Sequence, residues 1–467
     1  MERSTDRGAT EAIAAWVAGA SLEAMPPDVV EKARAGVIDT VGVILAGVDE
    51  PVTRIAAGLA AEDGGVPAAA QLGTTLRTAA ETAALLNGVS GHALDYDDVS
   101  ASLTGHPSVV VLPAALAAAE LAGASGAALL EAYVAGVEVT AKLGLAIGPA
   151  HYRAGWHATS TLGTIGAAAA AGKVLGLDAE RLTHALAIAV SLASGSRQNF
   201  GTMTKPFHAG HAARCGLAAA RLAARGMTGD TTAIEAPLGL FALLSFGEGR
   251  AEEVAPSLGR PYDLASAGLS VKKYPCCFAT HRAADAVLDL RAEHGLDAGQ
   301  VDAVAVTVPV GGVSPLIHDR PRTGLEGKFS MQYVLAAAVL DGRVGLDTFR
   351  DDAVRRPEAQ ALVPSVIVRE DPTIETGANP IEEGHVTVDI RLRGGAVLTR
   401  RVAHPRGSPA DPLRPEELAA KFTDCARAAL PADQAEHALT RLLTLERAPD
   451  ARALVAALTP AAVATAG

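Results

Sequence analysis

The chain has 467 residues, 49% of them hydrophobic and only 3% aromatic, with a formal charge of −12. This length exceeds one ordinary hydrophobic core and predicts two domains, while the apolar content excludes a disordered chain. The acidic balance argues against nucleic acid as a partner. The apolar runs, such as residues 109–119, are too short to span a bilayer, and the N-terminus has no signal-peptide pattern. We therefore expect a cytoplasmic protein that does not bind membranes.

The pattern is helical from about residue 10 to residue 265. Apolar residues recur at helical spacing over 30–44, after a Pro-Pro pair that is typical of a helix start. Segments 129–147, 163–177 and 179–193 are rich in Ala and Gly and apolar on most faces. Such segments predict closely packed helices in the middle of a bundle.

Strand patterns appear after about residue 269. Apolar and other residues alternate over 304–310 and 386–392, and Gly394-Gly395 predicts a tight turn into a partner strand at 396–402. One helical segment, 330–340, lies between these strands. The region is therefore predicted to be a small α+β domain.

The pattern is helical again over 416–430 and 435–444. This tail has too little apolar area to fold alone, so we expect it to pack on the first domain. The predicted fold is mainly α, with a large all-helical domain from both chain ends (1–267 and 408–467). The α+β domain (268–407) is then an insertion joined by two chain crossings, an arrangement that favours a hinged lid.

One segment, residues 91–108, concentrates ionisable side chains in otherwise apolar sequence: Asp95, Asp97, Asp98, His92 and His106. Acids and histidines cluster where protons are transferred, where a metal is bound, or where a turn needs side-chain hydrogen bonds. The aspartates could also cap the helix that follows them. Their spacing does not match the DDxxD motif of Mg-dependent helical synthases, and the chain is poor in aromatic residues, so that function is a remote alternative.

Four further segments carry unexpected polar residues, namely 155–160, 197–214, 272–281 and 328–333. A lone histidine in a helical core is more often structural than catalytic. His208 and His211 have a spacing at which both could bind one metal ion, but the residues around them do not complete an obvious metal site. Lysines and arginines recur in these segments, which predicts a basic pocket for a small anionic carboxylate substrate.

Taken together, these segments resemble the MmgE/PrpD family. The resemblance rests on an ordered set of motifs: LNGVSGHALDYDDV…HPS, GWHATSTLGTIGAAAAAGKVLGL, NFGTMTKPFHAGHAAR, KKYPCCFATHRAADA and KFSMQYVLAAAVLDG. It spans residues 10 to 450 approximately. It implies a large helical domain with a smaller lid, a homodimer, and chemistry that uses no metal or other cofactor.

The family's common step is to make or quench a carbanion next to a carboxylate. The resemblance therefore implies a dehydratase-type lyase acting on a small di- or tricarboxylate. An epimerase or isomerase that abstracts the same proton is the alternative, and a decarboxylase ranks below both. A family member that has lost catalysis and only binds its ligand is a further possibility.

By position, the resemblance places six residues in the pocket: Asp95, His106, His157, Lys205, Lys272 and Tyr333. We predict that Cys277 joins these as a catalytic residue, and that Lys272 binds substrate together with Lys273, His281, Met203 and Gln198 of the same segments. The lysines and histidines would hold carboxylates and stabilise enolate-like charge, and a histidine or Tyr333 would carry the proton. Asp95 is expected to orient a neighbouring histidine, whereas Asp97 and Asp98 would only shape the turn.

Two departures from the decarboxylase members argue against decarboxylation. Cys277 stands where they have a histidine, and Val99 stands where they have a threonine. Neighbouring lysines would lower the pKa of a Cys277 thiol, which would make it one base of a two-base epimerase. Cys215 and Cys425 are interpreted as small buried hydrophobic residues, because the four cysteines show no disulfide or CxxC pattern.

Overall fold

The computed structural model describes residues 7–377 and 380–460. The chain forms two compact units. The helical unit comprises the residues up to Asn199, Met203–Leu269 and the residues from Arg414 onward, and the α/β unit comprises Phe200–Thr202 and Ser270–Leu413. The predicted fold class, mainly α with a small strand-containing domain, is confirmed. Within the described ranges, no helix is both long and apolar enough to cross a membrane.

The helical unit is built from helices that come from both ends of the chain. Their bounds are α1 Ala9–Gly19, α2 Pro27–Ala46, α3 Pro51–Asp63, α4 Ala80–Ala93, α5 Ser108–Ala122, α6 Gly126–Ile147, α7 Ala150–Arg153, α8 Ala158–Val174, α9 Ala179–Leu192, α10 Thr204–Ala224, α11 Leu240–Leu244, α12 Val254–Ser257, α18 Pro415–Ala426, α19 Ala432–Leu442 and α20 Ala451–Ala457. A short two-stranded sheet, β1 Ala69–Ala70 and β2 Arg77–Thr78, was not predicted.

Small residues allow these helices to approach closely. A Cβ placed on Gly88 of α4 would lie 2.6 Å from the Cα of Gly210 in α10, and one on Gly216 would lie 2.4 Å from the Cβ of Ala167 in α8. Only glycine permits these separations between helix axes. Since α10 contacts both α4 and α8, residues from all three helices are brought together near the ends where α4 stops and α8 and α10 start.

The α/β unit contains one four-stranded sheet in the order β4-β3-β5-β6. Its elements are β3 Val301–Pro309, β4 Val366–Asp371, β5 Val386–Leu392, β6 Val397–Val402, α13 His281–His294, α14 Gly324–Gly327, α15 Met331–Asp341, α16 Asp351–Arg355 and α17 Pro357–Leu362. Strand β4 pairs parallel with β3, while β3–β5 and β5–β6 are antiparallel. The sequence interpretation missed β4, because the charged run 369–371 hides the alternation of an edge strand.

Candidate functional site

The loop between α4 and α5 brings together several buried ionisable groups of the helical unit. Helix α4 ends at Ala93, and Asp95 follows with a positive φ of 53°, a conformation that Asp adopts more readily than most residues. A bridge between Ser100 and Gly105 folds the rest of the loop back toward α5, which begins at Ser108. This reversal brings residues from both ends of the loop into one buried cluster.

Two imidazoles of this loop share one carboxylate. His92, in the last turn of α4, has its Nδ1 2.9 and 2.8 Å from the two oxygens of Asp97. The Nδ1 of His106 lies 3.3 Å from Asp97 Oδ2 and 2.8 Å from the carbonyl oxygen of Asp98. Because these partners are acceptors, we assign the proton of each neutral imidazole to Nδ1. Each Nε2 then carries a lone pair and can accept a proton.

Burial and neighbouring charges set the protonation states of His92 and Asp97. Burial lowers the pKa of His92 to about 4, which outweighs the raising effect of Asp97, so His92 is neutral at pH 7. Burial would raise the pKa of Asp97, but the imidazoles of His92 and His106 hold it well below its usual range. Asp97 is therefore an ionised acceptor that fixes two imidazoles, and His92 is an uncharged imidazole at neutral pH.

A second pair of histidines lies against the first. His157 precedes α8 and stacks on His92, with ring centroids 6.0 Å apart, and its Nδ1 is 3.1 Å from Nδ1 of His208 on α10. Burial lowers the pKa of both histidines. Electrostatic interactions with His92 and Lys205 lower the pKa of His157 further, and those with His211 and Lys205 lower the pKa of His208 further. One of the two Nδ1 atoms must donate to the other, so the pair shares a single proton between the rings.

The first turn of α10 contributes Lys205, whose ammonium forms a close ion pair with Asp95. Each side chain is only 6% exposed. Asp95 was expected to orient a histidine, but the carboxylate that contacts His92 and His106 is Asp97. The expected role of Asp95 in orienting a histidine therefore stays a prediction, because its described contact is with Lys205.

Asp98 continues the network on the other side of the loop. Its Oδ2 accepts a short hydrogen bond from the Ser108 hydroxyl, whose oxygen lies 2.6 Å from the Tyr133 hydroxyl on α6. Burial, with the nearby charges of Asp39 and Asp97, raises the pKa of Asp98 to about 8. Asp98 therefore stays protonated at neutral pH and does more than shape the turn.

The α/β unit holds a separate group of buried polar residues before α13. Lys272 is only 1% exposed, and the ammonium of Lys328 donates to the carbonyl of Pro275 at 2.9 Å. The charges of both lysines lower the pKa of the Cys276 thiol, but burial outweighs them and raises this pKa to about 12. Cys277 is 8% exposed and its backbone N–H donates to the carbonyl of Lys328 at 2.9 Å. The role of Cys277 as a base stays a prediction.

Three other proposed residues of this unit have mixed environments. The Tyr333 hydroxyl donates to the carbonyl of Thr348 at 2.5 Å, and burial raises its pKa further, so its described contacts are those of a core residue. His281, at the start of α13, is buried, with Nε2 3.3 Å from the carbonyl of Cys276. Lys273 is partly exposed.

Two proposed binding residues lie on the surface of the helical unit. Gln198 is exposed in the short 3-10 turn Arg197–Asn199, and Met203 is 46% exposed just before α10. Neither has a described contact with the histidine cluster. Their assignment to substrate binding rests on the resemblance alone.

His92, Asp97 and His106 are also the residues that would hold a metal ion, because one ligand atom from each lies within 4.8 Å of the others. With its proton on Nδ1, each imidazole offers Asp97 a hydrogen bond rather than a lone pair. A divalent cation bound by Asp97 and the two Nδ1 atoms would have to displace both protons. The hydrogen-bonded arrangement therefore occupies Asp97 and both Nδ1 atoms, while each Nε2 keeps its lone pair.

Sequence reasoning assigned no catalytic or binding role to His92 and His208, and it assigned Asp97 only to the shape of the turn. His92 and Asp97 lie in the segment that it singled out, five residues apart, a spacing with no meaning on a helix that ends between them. His208 was noticed only as a partner for His211. Its actual partner, His157, is 51 residues away in sequence, so only the fold reveals the pair.

Comparison with known proteins shows which family the chain resembles over nearly its whole length. The family model for the MmgE/PrpD N-terminal domain matches residues 11–253, and that for the MmgE/PrpD C-terminal domain matches 274–446. The human protein named cis-aconitate decarboxylase is 30% identical over 461 residues, covering 96% of this chain and 94% of the relative. The mouse protein of that name is 32% identical over 80% of this chain and 77% of its own length. The one from Aspergillus terreus is 26% identical over 95% and 94%.

The matches cover nearly the whole chain and include both units. They confirm the family that the motifs indicated, and with it the prediction that the protein is an enzyme. The chain belongs to the MmgE/PrpD family.

Proposed function

We propose that this enzyme is a lyase that acts on a small tricarboxylate by forming a carbanion next to a carboxylate, with loss of water as the reaction. The observation that carries the proposal is the His92–Asp97–His106 trio. Asp97 fixes two imidazoles with Nε2 as the basic atom. Oriented imidazoles with an available Nε2 lone pair are suited to removing a proton from carbon.

His106 is the proposed base. Its side chain is 12% exposed, whereas that of His92 is fully buried, so His106 is the member of the trio that a ligand reaches first. Its Nε2 takes the proton from the carbon next to a carboxylate. The electron pair left on that carbon forms the new C=C bond as hydroxide departs from the neighbouring carbon and is protonated to water.

Lys205 is proposed to stabilise the negative charge that develops on the carboxylate during this step. Its ammonium is close enough to lower the pKa of His92 and His157, so its field reaches the whole cluster. A buried cation aimed at developing charge is worth far more than one in water.

Decarboxylation is the second candidate, because the relatives named above are cis-aconitate decarboxylases and match over almost their full length. In that reaction a C–C bond breaks, CO₂ leaves and the resulting carbanion takes up a proton. It needs a proton donor rather than a base. The lowered pKa values of His92 and His157 leave these histidines uncharged, which favours proton removal over proton donation. Val99 and Cys277, the two departures from the decarboxylase pattern, also argue against decarboxylation.

The test is a panel of hydroxy-tricarboxylates, cis-aconitate and small dicarboxylates followed by proton and carbon NMR in heavy water with a chelator present. Dehydration gives a new alkene from a hydroxy acid, decarboxylation gives CO₂ from an unsaturated acid, and epimerisation incorporates deuterium without a new alkene. Conversion of a hydroxy-tricarboxylate supports the proposal. Conversion of cis-aconitate alone would replace it with decarboxylation.

A matched pair of variants connects the reaction to the trio. His106→Asn keeps a donor near the position of Nδ1 but removes the basic Nε2, so we expect kcat to fall about 10²–10⁴-fold. His184→Asn is the control, because the Nδ1 of His184 lies 3.1 Å from the carbonyl of Gly229 on the side of α9. If His106→Asn kept the parental activity, as we expect of His184→Asn, His106 would have no role in the mechanism.

A further inference from the structure

A buried lysine from helix α18, in the C-terminal part of the helical unit, contacts the loop that carries the histidine–aspartate cluster. The ammonium of Lys421 lies 2.6 Å from Asp39 Oδ1 on α2 and donates to the carbonyl of Tyr96 at 3.0 Å. It also lies 3.9 Å from the centre of the Tyr96 ring. The side chains of Lys421 and Asp39 are 5% and 0% exposed. The contact joins residues 325 positions apart in sequence.

Tyr96 is the residue between the two carboxylates that form the site. Asp95 pairs with Lys205, and Asp97 pairs with His92 and His106. The peptide of Tyr96 therefore sets the directions in which both carboxylates point. Holding its carbonyl and its ring from one side fixes the orientation of that peptide.

We propose that Lys421 is a positioning residue for the histidine cluster, acting through the carbonyl of Tyr96. The inference rests on the proposed function, since it assumes that the trio performs the reaction. Lys421 touches neither the trio nor Lys205 in the described contacts, so its effect reaches them through the loop backbone. Helix α18 then helps to position the active-site loop, in addition to packing on the other helices of the unit.

A purely structural role is the competing explanation, because breaking a buried ion pair is strongly destabilising in itself. The two roles are separated by removing the charge pair while keeping or deleting the contact with Tyr96. Asp39→Asn leaves Lys421 able to donate to the carbonyl. The double variant Asp39→Asn/Lys421→Met removes both charges and also that donor, and replacing both ions together avoids leaving one unpaired.

We expect Asp39→Asn to keep kcat within about threefold of the parent and the double variant to lose at least about tenfold, since small misplacements of catalytic groups cost rate steeply. KM should change less than kcat. Lys173→Met is the control, because Lys173 also pairs with a carboxylate and donates to two backbone carbonyls, at the far end of α8. It should leave kcat unchanged.

A second measurement does not depend on the substrate. The imidazole N–H proton that His92 donates to Asp97 should give a downfield NMR signal, assigned by its loss in His92→Asn. Positioning predicts that this signal shifts or broadens in the double variant and stays in Asp39→Asn and Lys173→Met. The proposal is overturned if the double variant keeps both the signal and the parental kcat, or if Asp39→Asn alone loses tenfold. If the parent converts no acid in the panel, the NMR result still decides the role of Lys421.

Discussion

Replacing Asp97 with Asn tests the central feature of the site. Both carboxylate oxygens lie within 2.9 Å of His92 Nδ1, and Oδ2 is also 3.3 Å from His106 Nδ1. An asparagine has one accepting oxygen and one NH₂ group. Whichever way it is turned, the NH₂ faces a nitrogen that must itself donate. One imidazole then changes tautomer or rotates, and its Nε2 is no longer the basic atom.

The size of the effect follows from what is lost. Correct orientation of a general base contributes about 10²–10⁴ in rate, which is roughly 3–5 kcal/mol in the activation barrier. We expect Asp97→Asn to reduce kcat by that factor and to leave KM within about threefold, because Asp97 is fully buried and does not contact the ligand in the proposed mechanism.

The assay is initial-rate kinetics from pH 5 to 9 on the acid that the panel identifies, with melting temperature as the measure of folding. Asp178→Asn is the control, because Asp178 only caps α9 and asparagine caps helices equally well. A folded Asp97→Asn enzyme with the parental kcat and pH profile would refute the assignment of tautomers and with it the mechanism.

Two further predictions concern stability and pH. The folded-state pKa of His92, about 4, lies below its unfolded value of 6.5, so its contribution is complete above pH 6.5 and is lost as the pH falls toward 4. Urea unfolding should show a loss on the order of 3 kcal/mol across that window, and His92→Asn should lose less; an equal loss would contradict the assignment. Asp98 has the opposite sign, because its folded pKa of about 8 lies above its unfolded value, so the protein loses stability as the pH rises from 4 through 8. Asp98→Asn resembles the protonated acid, and its stability relative to the parent should increase from pH 5 to pH 9 in the same unfolding assay.

Local periodicity predicted much of the fold, because the packing of these elements agrees with their sequence pattern. The stripe over 30–44 corresponds to α2, and the alternation over 386–392 corresponds to β5. β4 was missed because an edge strand needs only one buried face over a few residues. Local sequence was therefore enough to predict whether a segment such as α2 or β5 is a helix or a strand. It was not enough to predict how many strands the sheet contains.

The site was only partly predictable, for a different physical reason. Residue types indicated that the segment 91–108 carries chemistry, but not which carboxylate meets which partner. A single backbone conformation at Asp95, with φ near 53°, turns its side chain to Lys205 and places Asp97 against the imidazoles. Sequence spacing carries no information on such a reversal. The contacts of His157 with His208 and of Lys421 with Tyr96 depend on helix packing across the whole unit.

The structure also changes the expected source of substrate affinity. Sequence counting suggested a basic pocket, but in the helical unit Lys205 is paired with Asp95 and Lys421 with Asp39. His92 and His157 are neutral at pH 7, and Asp97 is ionised, so this cluster has no excess of positive charge. A bound carboxylate must therefore compete with Asp95 for Lys205, and that competition costs binding energy in the ground state. As the carbanion forms, negative charge builds up on the substrate carboxylate, and the exchange of Asp95 for this carboxylate as the partner of Lys205 becomes favourable. Lys205 then binds the transition state more tightly than the substrate, and only such a difference accelerates the reaction.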